Sequence, residues 1–136
     1  GHSKQGGTPG DLKINLKVEP HPLFNREDDN ILCNVPITFP QAALGTQIDV
    51  PTLSGKVRMR IPAGTQSHSV FRLRHKGMPR LNSSRTGDQL VTVVIETPKH
   101  MSDEQKRLLK RFSEVSGTEI HPQQRTFWEK VRDFFD

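Results

Sequence analysis

The chain is poor in cysteine and aromatics and has no long apolar run, and each shortage excludes something. Its one cysteine, Cys33, rules out an internal disulfide and fits a reducing compartment. The six histidines stand at positions 2, 21, 68, 75, 100 and 121, no two of them four apart. With a single cysteine beside them, no zinc-ligand spacing forms, and no metal site is expected. No apolar stretch approaches the roughly 18 residues of a spanning helix, and no signal-peptide pattern opens the chain. A soluble, cytoplasmic protein is expected. Gly45, Gly55, Gly64, Gly77 and Gly87 punctuate strands and build no phosphate-binding loop. Asp28 and Asp29 are adjacent, so on an extended chain they point apart and make a poor carboxylate pair. No nucleophile motif surrounds any serine. The expectation is a protein that binds and does not catalyse.

What is present is a modest apolar fraction, 32% of 136 residues, enough for one small core. The net charge of +5 lies unevenly, because Lys56 to Arg85 carries eight Lys or Arg and no Asp or Glu. Such a block attracts acidic partners at long range, although a solvated outer sheet face explains it as well. Phe71 alone interleaves with these arginines, which gives a base-stacking nucleic-acid surface little support.

Apolar residues alternate in several short runs. Leu12 to Val18 is one, ended by Pro20-His21-Pro22, and Ile31, Cys33, Val35 and Ile37 are another. Pro36 points to an edge position for that second strand, since proline cannot donate to a ladder. Ile48 and Val50, then Val57, Met59 and Ile61, then Phe71 and Leu73 continue the pattern, with turns at Leu53-Ser54-Gly55, Pro62-Ala63-Gly64-Thr65 and Gly77-Met78-Pro79. Pro40 to Gly45 reads as one short helical turn. From Gln89 to Glu96 both faces are apolar, which predicts a central strand. Two helices follow. Ser102 with Gln105 forms a capping box ahead of Leu108, Leu109, Phe112 and Val115, and Gly117 is a stop. In Gln124–Phe135, Phe127, Trp128, Val131, Phe134 and Phe135 make one apolar stripe. A short helix near a chain end frays unless it docks, either on its own domain or on a partner.

Four blocks in order carry a resemblance: Val50-Pro51-Thr52-Leu53-x-Gly55, Ile61-Pro62-x-Gly64-Thr65-Gln66, Phe71-Arg72-Leu73-Arg74 and Lys76-Gly77-Met78-Pro79. Together they resemble the last C-terminal β-domain of DnaJ-type co-chaperones, and the likeness extends over residues 10–136. It implies a fragment: a tag or linker at 1–9, the last strand of a preceding β-domain at 10–20, a β-domain at 21–100, and a helical dimerisation region at 101–136. The family's J-domain, Gly/Phe-rich segment and zinc-binding repeats have no counterpart here, so no cofactor is expected. His68 and His75 stand where the family usually has glycine. If the backbone there needs a positive φ, each costs about 1 kcal/mol.

The fold expected is mainly β: a small sandwich of short, mostly antiparallel strands with a C-terminal helical extension. The resemblance implies partners that are unfolded polypeptides, a DnaK-type ATPase chaperone and a second copy of the chain. The dimer contact would be Phe127, Trp128, Val131, Phe134 and Phe135. Candidates to line an apolar client groove are Ile31, Cys33, Val35, Ile37, Leu44 and Ile48, each of which the core also needs. Two other readings stay open at this point: a purely architectural dimerisation module, and a basic β-domain that binds nucleic acid through Lys56–Arg85.

Overall fold

Period-two alternation decides which side chains the sandwich encloses. The computed structural model describes residues 21–80, 85–117 and 119–136. The linker at 1–9 and the strand expected within 10–20 lie outside the described residues. Strand β1 (Asn25–Glu27) pairs antiparallel with β2 (Asn30–Thr38), and β2 runs parallel to β6 (Gln89–Glu96). On the far side of β6, β5 (Val70–Leu73) is antiparallel, giving the order β1-β2-β6-β5. The remaining strands, β3 (Thr46–Thr52) and β4 (Gly55–Ile61), form a separate two-stranded antiparallel sheet.

The faces of the two sheets meet. Ile37, Val91 and Val93 of the larger sheet pack with Val50, Met59 and Ile61 of the smaller, and Ala42 closes one end. Burying a large apolar side chain is worth about 1.5–3 kcal/mol, so these residues dominate the stability of the domain. A second cluster joins Phe24, Ile31, Cys33 and Met78, which explains why the Lys76-Gly77-Met78-Pro79 block is built around a methionine. The central position expected for β6 follows from its two apolar faces, because neighbours flank it on both sides.

The expectation of mostly antiparallel pairing holds, with β2 and β6 as the parallel exception. Parallel neighbours need a long crossover, and here the β3–β4 ribbon and β5 supply it. Pro36 marks a half-edge. β1 pairs only with Asn30, Ile31 and Leu32, so no strand flanks β2 at Pro36 on that side among the described residues. β1 itself, Asn25-Arg26-Glu27, is exposed throughout and carries no apolar alternation by which to find it.

Helix α1 (Phe39–Leu44) is held by a reciprocal cap that the sequence reading missed. Thr38 accepts from the Gln41 N–H at 3.1 Å while the Gln41 side chain accepts from the Thr38 N–H at 3.0 Å. The signal was there, as Thr-x-x-Gln. The chain divides between Thr97 and Pro98 into two compact units. The second holds α2 (Asp103–Ser116), whose Ser102–Gln105 capping box is present as expected, and α3 (Pro122–Phe135). Helix α3 begins at Pro122, before the expected Gln124, because proline suits the first helical turn.

Candidate interaction surfaces

The basic block does not remain an unbalanced field. Arg58 lies 3.3 Å from Asp49 across the β3–β4 ladder and also donates to Gln47. Arg72 pairs with Asp88, and Arg80 lies 2.8 Å from Asp29. Each of these acidic partners comes from outside Lys56–Arg85, so folding neutralises part of a charge excess that sequence proximity suggests.

Asp88 takes a backbone partner as well as an arginine. It accepts the His75 N–H at 2.9 Å as well as the Arg72 guanidinium. The His75 amide first, and then Arg72, hold its carboxyl below the usual aspartate range. His75 has φ 65°, and His68 has φ 71°. Both lie in the left-handed region, so the positions where the family usually has glycine do need positive φ here. At His68 the cause is a bulge. His68 donates to the Val93 carbonyl at 2.7 Å and Val93 donates to the Ser69 carbonyl at 3.0 Å, so two residues oppose one.

The groove candidates separate by burial. Ile31, Cys33 and Ile37 are core residues, and burial pushes the Cys33 thiol up. Val35 and Ile48 are half-buried against the core. Leu44 stands out at 81% exposed and borders an open cavity of about 300 Å³, together with Gly45, Arg60, Ile61 and Ala63. Only Leu44, with parts of Ile48 and Val35, is therefore within reach of a partner. A surface residue that the sequence reading did not single out is Val70 at the start of β5, 59% exposed.

In the second unit neither helix buries a residue. The α3 stripe is open to water: Phe127 and Trp128 are just over half exposed, Phe134 and Phe135 about four-fifths, and Val131 at the centre is half-buried. Phe127 and Trp128 meet edge to face, as do Phe134 and Phe135. On α2, Leu108, Leu109, Phe112 and Val115 are exposed as well.

Comparison with known proteins settles the family. The model described as DnaJ C terminal domain matches residues 1–98, and one described as Chaperone protein DnaJ C-terminal region matches residues 104–136. The chain belongs to the DnaJ C-terminal domain family. Among curated relatives, the Chaperone protein DnaJ of Ruminiclostridium cellulolyticum is 53% identical over 131 residues, covering 96% of this chain and 35% of that protein. That of Halothermothrix orenii is also 53% identical, with the same coverage, and that of Clostridioides difficile is 47% identical over 97% of this chain and 34% of its own. The chain thus spans about a third of the length of these DnaJ chaperones. The four blocks that carried the resemblance lie in this DnaJ domain at the β3–β4 hairpin, the β4–β5 loop, β5 and the Met78 cluster. Among the described residues no group of three or more His, Cys, Asp or Glu could hold a metal ion, and no helix is long and apolar enough to cross a membrane.

Proposed function

We propose that this chain is the dimerising, client-contacting end of a cytoplasmic DnaJ co-chaperone that delivers unfolded polypeptide to a DnaK-type ATPase. It works by binding alone, without catalysis, metal or cofactor. Two protomers joined through Phe127, Trp128, Val131, Phe134 and Phe135 form a clamp. Weak contacts on each arm then gain strength through effective concentration on one client chain. The apolar face a client meets centres on Leu44, with the accessible parts of Ile48 and Val35, while Ile37 belongs to the core against which Val35 and Ile48 pack, and Ile31 and Cys33 belong to the separate cluster with Phe24 and Met78.

The observation that carries this reading is the α3 stripe. Four aromatics are more than half exposed on a helix of 14 residues that buries nothing. Contiguous apolar surface of that kind marks an interaction site. A two-fold contact places the same stripe on both chains. The neutralisation of Arg58, Arg72 and Arg80 by Asp49, Asp88 and Asp29 speaks against a nucleic-acid surface.

Sedimentation combined with binding of an unfolded polypeptide tests the proposal. The chain should sediment as a dimer, and Val131→Asp, at the centre of the stripe, should be a folded monomer with client affinity reduced at least tenfold. Substitution at Phe135, at the end of the stripe, should do less. A Val131→Asp chain that stays dimeric would sink the tail contact. A dimer that binds no unfolded polypeptide would leave only the architectural role, and steeply salt-dependent binding to nucleic acid would favour the third reading.

A further inference from the structure

Folding treats the two central arginines of β4 unequally. Side chains alternate along the strand, so Arg58 and Arg60 share the exposed face of the β3–β4 ribbon while Met59 and Ile61 enter the core. In the antiparallel register Asp49 lies opposite Arg58, and Gln47 lies opposite Arg60. Arg58 takes both of these acceptors. It lies 3.3 Å from the Asp49 carboxylate, and its Nε donates to the Gln47 Oε1 at 3.0 Å. Gln47 is thereby drawn away from the arginine it faces, and among the described residues Arg60 has no carboxylate partner.

Arg60 also lines the open cavity of about 300 Å³ beside Leu44, and it is the one charged residue in that lining. Around it the surface is apolar or backbone. Leu44 is exposed, Ile61 and Ala63 add carbon, and Gly45 closes onto its neighbours so tightly that a Cβ there would lie 3.0 Å from the Ala63 nitrogen. The carbonyls near the end of α1, which would repel an anion, are engaged: Gly45 donates to that of Gln41, and Gly64 and Thr65 donate to that of Ala42. A guanidinium with no acidic neighbour is a receptor for a carboxylate, which it can hold through two parallel N–H bonds. Beside Leu44 it gives a sign to a surface that is otherwise indifferent to charge.

We propose that Arg60 makes the Leu44 cavity selective for polypeptide segments in which a large apolar side chain is followed two residues later by Asp or Glu. Alternate residues of an extended segment point the same way, so the apolar group and the carboxylate reach Leu44 and Arg60 together. This selection rests on the client-binding reading above and names the class of segment that the face prefers. Arg58, Arg72 and Arg80 do not compete for that carboxylate, because each already holds an aspartate of the domain.

The test uses the full chain and three synthetic peptides of about ten residues that differ only at the centre: Leu-Ser-Glu, Leu-Ser-Lys and Ser-Ser-Glu. Amide shifts on titration should move at Leu44–Gln47 and Arg60–Ala63. The Leu-Ser-Glu peptide should bind about tenfold more tightly than the Leu-Ser-Lys peptide, and added salt should narrow that gap. The Ser-Ser-Glu peptide should bind more weakly than Leu-Ser-Glu, since it offers Leu44 nothing. Arg60→Gln should make the chain treat Glu and Lys alike, and Arg60→Glu should reverse the preference. Arg58→Gln removes the same charge from an arginine that is already paired, and it should leave the preference as it was. An Arg60→Gln chain that still favours Glu, or an equal loss in Arg58→Gln, would overturn the proposal by assigning the preference to the basic face as a whole. If the chain binds unfolded polypeptide but does not distinguish these peptides, the role of Arg60 falls alone. If it binds neither, the client-binding reading falls with it.

Discussion

Gln89 donates its side-chain amide to the Pro51 carbonyl at 2.8 Å, from the central strand of the larger sheet to the smaller sheet. Gln89 is fully buried, so this bond lies in a medium where an unmade partner is costly. It ties together two layers whose facing core is apolar. Gln89→Leu keeps the volume and strands the Pro51 carbonyl. Urea unfolding should show a loss of about 1–3 kcal/mol, and an unchanged midpoint would mean that the bond adds nothing to the apolar packing.

The β1–β2 turn is clamped by two glycines. Met78 donates to the Asp29 carbonyl at 2.8 Å, and a Cβ placed on Gly87 would lie 2.1 Å from that same oxygen. Backbone cannot retreat as a flexible side chain can. Gly87→Ala should therefore cost more than about 3 kcal/mol or prevent folding, whereas Gly55→Ala, with open space but φ 114°, should cost about 1 kcal/mol. Paired thermal melts distinguish the two, and equal losses would refute the close-packing argument.

His68 holds the left-handed residue of a bulge at φ 71° without a side-chain bond of its own among those described. Glycine relieves the steric cost of a Cβ in that region, though it also frees the unfolded chain. His68→Gly should leave the fold unchanged and raise stability by up to about 1 kcal/mol. A clear destabilisation would show the imidazole making a contact worth more than the strain.

Asp88 sets a pH dependence. Its folded pKa is depressed below the usual 3.8 by the His75 amide and then by Arg72. A depressed carboxylate contributes stability that is present above its unfolded value and lost as pH falls through its folded one. The chain should therefore weaken on acidification below about pH 4, and Asp88→Asn, which keeps an acceptor for His75 but no charge, should flatten that slope. Denaturation midpoints for both chains between about pH 5 and pH 2 provide the check. Parallel slopes would assign the acid sensitivity to other carboxylates.

Local chemistry was sufficient for much of this domain. Alternation located β2 through β6 and, for all but β6 with its two apolar faces, which residues face inward, because a strand's two faces are set by its neighbours in sequence. The Ser102–Gln105 box placed the start of α2, since every partner in a cap lies within one turn. The family was legible for the same reason, through turn residues at fixed spacing. Tertiary structure decided the rest. Nothing local states that β2 runs parallel to β6, or that Pro36 sits where β1 has already ended. The acidic partners of the basic block lie up to 51 positions away, as Asp29 does from Arg80, and only the fold brings them together. Burial likewise sorted Leu44 from Ile31, Cys33 and Ile37, which share one apolar chemistry in sequence. Pairing between distant segments is a property of the whole chain, and no window of neighbouring residues contains it.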